Sequence, residues 1–121
     1  MHTLSQILIA IIAAEHLYIL WFEMFAWETV GKKNFKQFPE DLFPKTKSMA
    51  ANQGLYNGFL AAGLLWTFFI ENPEWKFNIS VFFLGCVAVA GIYGAFSASK
   101  KIFFVQALPA IIALVLLMVS R

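Results

Sequence analysis

Ile7-Leu8-Ile9-Ala10-Ile11-Ile12, and far along the chain Leu114-Val115-Leu116-Leu117-Met118-Val119, present an apolar side chain at every position. A membrane β-strand would alternate apolar and polar residues with a period of two, so both stretches read as helices that are apolar on all sides. Working outward, the chain has 121 residues, 60% apolar and 13% charged, against roughly 45–50% and about 25% in a soluble domain. That composition excludes an ordinary water-soluble globule. A formal net charge of +2 also excludes a nucleic-acid partner, which calls for a strong basic footprint.

A helix crossing a bilayer needs about 20 mostly apolar residues, so four crossings use about 80 and fit, whereas five do not. The expected fold is therefore all-α. It is a polytopic membrane protein, an antiparallel bundle of four transmembrane helices in one domain over residues 1–121, with spans at about 4–27, 49–70, 77–98 and 102–120. The first span lacks a basic leader, holds Glu15, His16 and Glu23, and shows no small-residue cleavage site, so it reads as a mature helix rather than a secretion signal. The connections Glu71 to Lys76 and Ser99 to Lys101 are short, which makes neighbouring helices antiparallel. In the long loop, 28–48, Pro39-Glu40-Asp41 is expected to open a short surface helix, since proline suits the first helical position and acids its positive end.

Lys32, Lys33, Lys36, Lys45 and Lys47 in that loop, with Lys100 and Lys101 in the third connection, make seven of the nine basic residues. The positive-inside bias then makes the loop cytoplasmic and leaves both termini outside. Cys86 is the one cysteine. It permits no intramolecular disulfide and reads as a small buried hydrophobe.

A charge at the bilayer centre costs about 2.5–3.5 kcal/mol on insertion scales, so the polar residues inside the spans carry the information. Glu15 and His16 fall mid-way along the first helix, about 100° apart around it, and a neutral acid beside a neutral imidazole is their cheapest state. Glu23 lies about 10 Å beyond His16 on the same face, at 1.5 Å per residue. At its depth the second span offers Asn52, Gln53, Tyr56 and Asn57, the third Tyr93 and the fourth Gln106. These residues are expected to wall a polar vestibule with Glu15 and His16 at its floor. Pro109 would stand beside it, freeing the carbonyl of Val105. The competing expectation is that the same groups only join helices, at about 0.6 kcal/mol each. Gly54, Gly58 and Ala62, and likewise Ala90, Gly94 and Ala98, form small-residue faces for close packing within or between chains.

The pair of stretches Ala14-Glu15-His16-Leu17-Tyr18 with Glu23-Met24-Phe25-Ala26-Trp27-Glu28-Thr29, and Ala50-Ala51-Asn52-Gln53-Gly54-Leu55-Tyr56-Asn57-Gly58-Phe59-Leu60-Ala61, resembles the bacterial "domain of unknown function 1304" family of small integral membrane proteins. The resemblance covers essentially the whole chain. It implies a multi-pass protein of the bacterial cytoplasmic (inner) membrane with about four helices, and supplies neither an activity nor site residues.

Three classes of function stay open. Intramembrane carboxylates and histidine suit binding or transport of a small molecule or a proton. Glu15 and His16 also suit acid and base roles in a membrane-embedded enzyme acting on a lipid-like substrate. An accessory subunit would use all of these groups as helix-helix glue. The partners expected are the lipid bilayer, a small-molecule or lipid ligand and, as a homo-oligomer, further copies of the chain. No cofactor or metal is expected, since His2 and His16 are the only histidines and no ligand spacing typical of a metal site occurs.

Overall fold

The computed structural model describes residues 3–121, and every regular element among them is helical; His2 lies outside the described residues. Four long helices carry the chain: α1 (Thr3–Phe25), α2 (Lys47–Trp66), α3 (Pro73–Ser97) and α4 (Lys100–Val119). Three of them, α1, α3 and α4, are long and apolar enough to cross a membrane. At twenty residues α2 is also long enough, about 30 Å at 1.5 Å per residue. Its Asn52, Gln53 and Asn57 lower its hydropathy, so of the four spans expected from the sequence three helices meet both the length and the composition of a membrane crossing.

Local chemistry sets the helix ends. The Asn72 side chain accepts a hydrogen bond from the Trp75 N–H at 3.0 Å and Pro73 occupies the first turn, so α3 begins four residues before the expected Phe77. Its end is closed by the N–H groups of Ala98 and Ser99, both donating to the Gly94 carbonyl. Ser99 then caps α4 through its hydroxyl, which accepts from the Lys101 N–H at 3.3 Å. Within α4 the backbone widens into a π-turn, Phe103–Ala107, immediately before Pro109. Proline cannot donate to the Val105 carbonyl and its ring crowds that group; the wider turn is a common way for a helix to absorb such a defect.

Two compact units are distinguished. The first contains α1 as far as Ala14 together with Leu60–Arg121. Its core joins Ile9, Ile12 and Ala13 of α1 to Leu64, to Leu84, Val87 and Ala88 of α3, and to Ala110, Ala113 and Leu117 of α4. At Gly91 the α3 backbone approaches α4 so closely that a Cβ there would meet the Ala107 nitrogen at 2.5 Å. Gly63 likewise leaves room for the Phe83 ring.

The second unit is Glu15–Phe59. Here the long loop is no bare connection. After Phe25 the chain leaves the α-helix at Ala26, makes a π-turn over Trp27–Gly31, closed by the Gly31 N–H on the Ala26 carbonyl, and adds single helical turns at Lys32–Asn34 and Leu42–Lys45. Phe22, Trp27, Phe43 and Ala50 form a core against which Val30, Phe35 and Phe38 pack. The Trp27 and Phe43 ring centroids are 5.0 Å apart, and the Trp27 indole N–H donates to the Thr46 hydroxyl at 3.0 Å. The short helix expected to open at Pro39 instead starts at Leu42, because Pro39 and Glu40 supply turn carbonyls to the N–H groups of Leu42 and Phe43.

Large apolar side chains such as Phe25, Met49, Phe69 and Phe96 stand exposed. A soluble monomer rarely shows so much apolar surface, whereas lipid covers it without cost.

Candidate functional site

The second unit brings α1 and α2 together around one polar contact. The buried stripe of α2 runs Ala50, Gly54, Asn57, Ala61 and Leu64, steps of four and three that keep to one helical face. Gly54 lets that face approach closely: a Cβ there would lie 2.8 Å from Met24 Cγ and 3.0 Å from Glu23 Cβ. Gly58 does the same against the Leu20 side chain. The expected small-residue packing therefore joins helices within one chain at these two positions, while Ala62 is exposed.

One turn along from Gly54, Asn57 meets Glu23. Asn57 Nδ2 donates to Glu23 Oε1 at 2.7 Å, with Glu23 8% and Asn57 7% exposed. The same nitrogen donates to the Gln53 main-chain carbonyl at 3.3 Å, which uses both amide hydrogens. Glu23 Oε2 and Asn57 Oδ1 are left as acceptors without a hydrogen bond to the described residues. Seven residues earlier on α1, His16 is completely buried. Its neighbour Glu15 is partly buried, and its Oε2 is shut off from solvent without a hydrogen-bond partner.

Of the nine residues singled out in the sequence, the structure thus brings Glu23 and Asn57 into contact and buries His16. Gln53 takes part through its backbone, and its side chain is exposed, as are those of Asn52 and Tyr56. Tyr56 lies about 100° from Asn57 around the helix and packs edge-on against Phe59. Tyr93 is 73% exposed, and Gln106 is half-buried on the π-turn of α4, both in the other unit. As drawn from the sequence, the vestibule wall contains side chains that point outward.

Sequence reasoning missed one feature. A cleft of about 360 Å³ is lined by Pro73, Glu74, Phe77, Leu117, Ser120 and Arg121, with the Arg121 guanidinium 4.3 Å from the Phe77 ring centroid. It joins the start of α3 to the end of α4, which no local pattern announces. Among the described residues no three His, Cys, Asp or Glu side chains gather as a metal ion requires.

Chemically, the largely buried Glu23–Asn57 pair offers two oxygen acceptors, Glu23 Oε2 and Asn57 Oδ1, that it does not use itself. It can hold a proton, or the N–H or O–H of a small solute. Among known families, the one described as "Protein of unknown function (DUF1304)" matches residues 10–118. The chain belongs to that family. Another similar protein is the "Uncharacterized protein YpaA" of Lactococcus lactis subsp. lactis (strain IL1403), 30% identical over 117 residues, which cover 95% of this chain and 97% of the relative. No solved structure matches the chain. The DUF1304 match takes in Glu15, His16, Glu23 and Asn57, and neither description attaches an activity to them.

Proposed function

We propose that the chain is a multi-pass protein of the bacterial inner membrane, with α2 as a fourth crossing and both termini outside, that binds and passes a proton or a small hydrogen-bond-donating solute. The site is built on Glu23 and Asn57, with Glu15 and His16 further along α1. One observation carries this reading: the buried 2.7 Å contact in which Asn57 engages one carboxyl oxygen of Glu23 and leaves the other open.

Helix-helix glue alone does not ask for a carboxylate. A glutamine at position 23 would accept the same bond from Asn57 at a far smaller cost of insertion, since carboxylates are among the most expensive side chains in a bilayer. The unpartnered, solvent-shielded oxygen of Glu15 supports the same view, because buried polar atoms are nearly always satisfied.

Flux into liposomes containing the purified protein, followed with a pH-sensitive dye and with a panel of small amines and polyols, tests the proposal. Glu23→Gln is expected to cut flux at least tenfold while the protein still folds. No flux of protons or of any solute by the unaltered chain would overturn it, and unchanged flux in Glu23→Gln would leave the pair as glue. The unsatisfied oxygen of Glu15 favours one second reading, an acid-base enzyme on a lipid-like substrate; altered lipid profiles in a deletion strain, restored by the wild type but not by Glu15→Gln, would select it.

A further inference from the structure

The five lysines of the loop are not equivalent. Lys45 pairs with Asp41 at 3.1 Å and Lys47 with Glu28 at 3.4 Å. Lys32, Lys33 and Lys36 form no ion pair or hydrogen bond among the described residues. These three fall within five positions, on the single helical turn Lys32–Asn34 that follows the π-turn at the end of α1, and just beyond it. Lys33 and Lys36 are exposed and Lys32 is half-buried.

The turn is fixed in place. Asn34 Nδ2 donates to the Val30 carbonyl at 3.1 Å and to the Tyr18 hydroxyl of α1 at 3.4 Å. Phe35 packs on Trp27 and stacks with Phe38, their ring planes 6° apart. Phe35 and Phe38 of this segment therefore pack on the aromatic core, while Lys33 and Lys36 are exposed. On either side along the chain stand Phe25 and Met49, 73% and 72% exposed. Exposed apolar groups and unpaired cations in one segment are what the boundary between acyl chains and headgroups selects.

We infer that Lys32, Lys33 and Lys36 form a docking surface for anionic phospholipid headgroups. The occupant is chosen by charge: the segment carries three uncompensated cations directly after a membrane-crossing helix, where the partner within reach is the phosphate of a lipid. The inference rests on the membrane reading above and is independent of any transported solute. Each lysine near an anionic surface contributes roughly a fivefold preference at low ionic strength.

The test is lipid retention by the purified full chain, read by native mass spectrometry after exposure to phosphatidylglycerol or phosphatidylcholine. Wild type is expected to retain phosphatidylglycerol at least tenfold more, and high salt to abolish the difference. Lys32→Gln/Lys33→Gln/Lys36→Gln is expected to lose it, the three-arginine variant to keep it, and Lys45→Gln/Lys47→Gln to keep most of it. Equal retention of both lipids by wild type would overturn the inference, as would an undiminished preference in the three-glutamine variant. Displacement of the lipid by millimolar inorganic phosphate would also overturn it, revealing a site for a soluble anion. Should the three-glutamine variant fail to fold, the salt dependence of wild type and the arginine variant decide. Liposome flux plays no part in this readout, so failure here and failure of the transport reading are separate results.

Discussion

Asn57 spends both of its amide hydrogens holding α2 to itself and to α1, one on the Gln53 carbonyl and one, at 2.7 Å, on Glu23 Oε1. The two residues are 34 positions apart in sequence, and Gly54 makes their meeting possible by removing a side chain from between the helices. Stability and function should separate at this contact. Asn57→Ala strips a buried acceptor of its donor and is expected to cost about 1–3 kcal/mol, seen as a lower melting temperature in detergent. Glu23→Gln retains an acceptor oxygen and should melt within a few degrees of wild type, while losing flux. Equal destabilisation by both substitutions would count against a role for the carboxylate beyond packing.

Two glycines of α3 should respond oppositely to the same substitution. Gly91 lies against the Ala107 backbone, where a Cβ would come within 2.5 Å of the nitrogen, whereas Gly85 has open space within 4 Å. Gly91→Ala must push α3 from α4 or distort the π-turn, and overpacking of this kind costs about 1–3 kcal/mol. Gly85→Ala adds only helix propensity, a gain of up to about 1 kcal/mol. Thermal unfolding of the two variants in the same detergent checks both signs, and a neutral Gly91→Ala would show that this approach is looser than described.

The helices were legible because apolar runs such as residues 7–12 and 114–119 leave few alternatives. Which polar residue of α2 faces inward was less so. Asn52, Gln53, Tyr56 and Asn57 spread around the helix, and proximity to Glu23 in depth does not distinguish them. The distinguishing signal was the stripe Ala50, Gly54, Asn57, Ala61 and Leu64, which leads to Asn57 through small neighbours. The aromatic core of the loop was illegible for another reason: Trp27, Phe35, Phe38 and Phe43 follow no helical or strand period, because an irregular segment supplies them. The π-turns are likewise tertiary compromises. Pro109 announces strain in α4, yet where the helix widens depends on what packs against it.

Trp27 tests whether that aromatic core is structural in its own right. Its indole donates to the Thr46 hydroxyl at 3.0 Å, that hydroxyl donates onward to the Leu42 carbonyl at 2.8 Å, and its ring lies 5.0 Å from Phe43 and 5.7 Å from Phe35. Thr46→Val keeps the volume and removes both hydrogen bonds, leaving a nearly buried N–H unsatisfied; about 1–3 kcal/mol should be lost. Trp27→Phe removes the donor along with part of the ring, so a valine at position 46 should cost less in that background than in wild type. Melting temperatures of the two single variants and the double variant, taken as a double-mutant cycle, measure the coupling directly. Strict additivity would mean that the indole bond contributes nothing and that aromatic packing alone orders the loop.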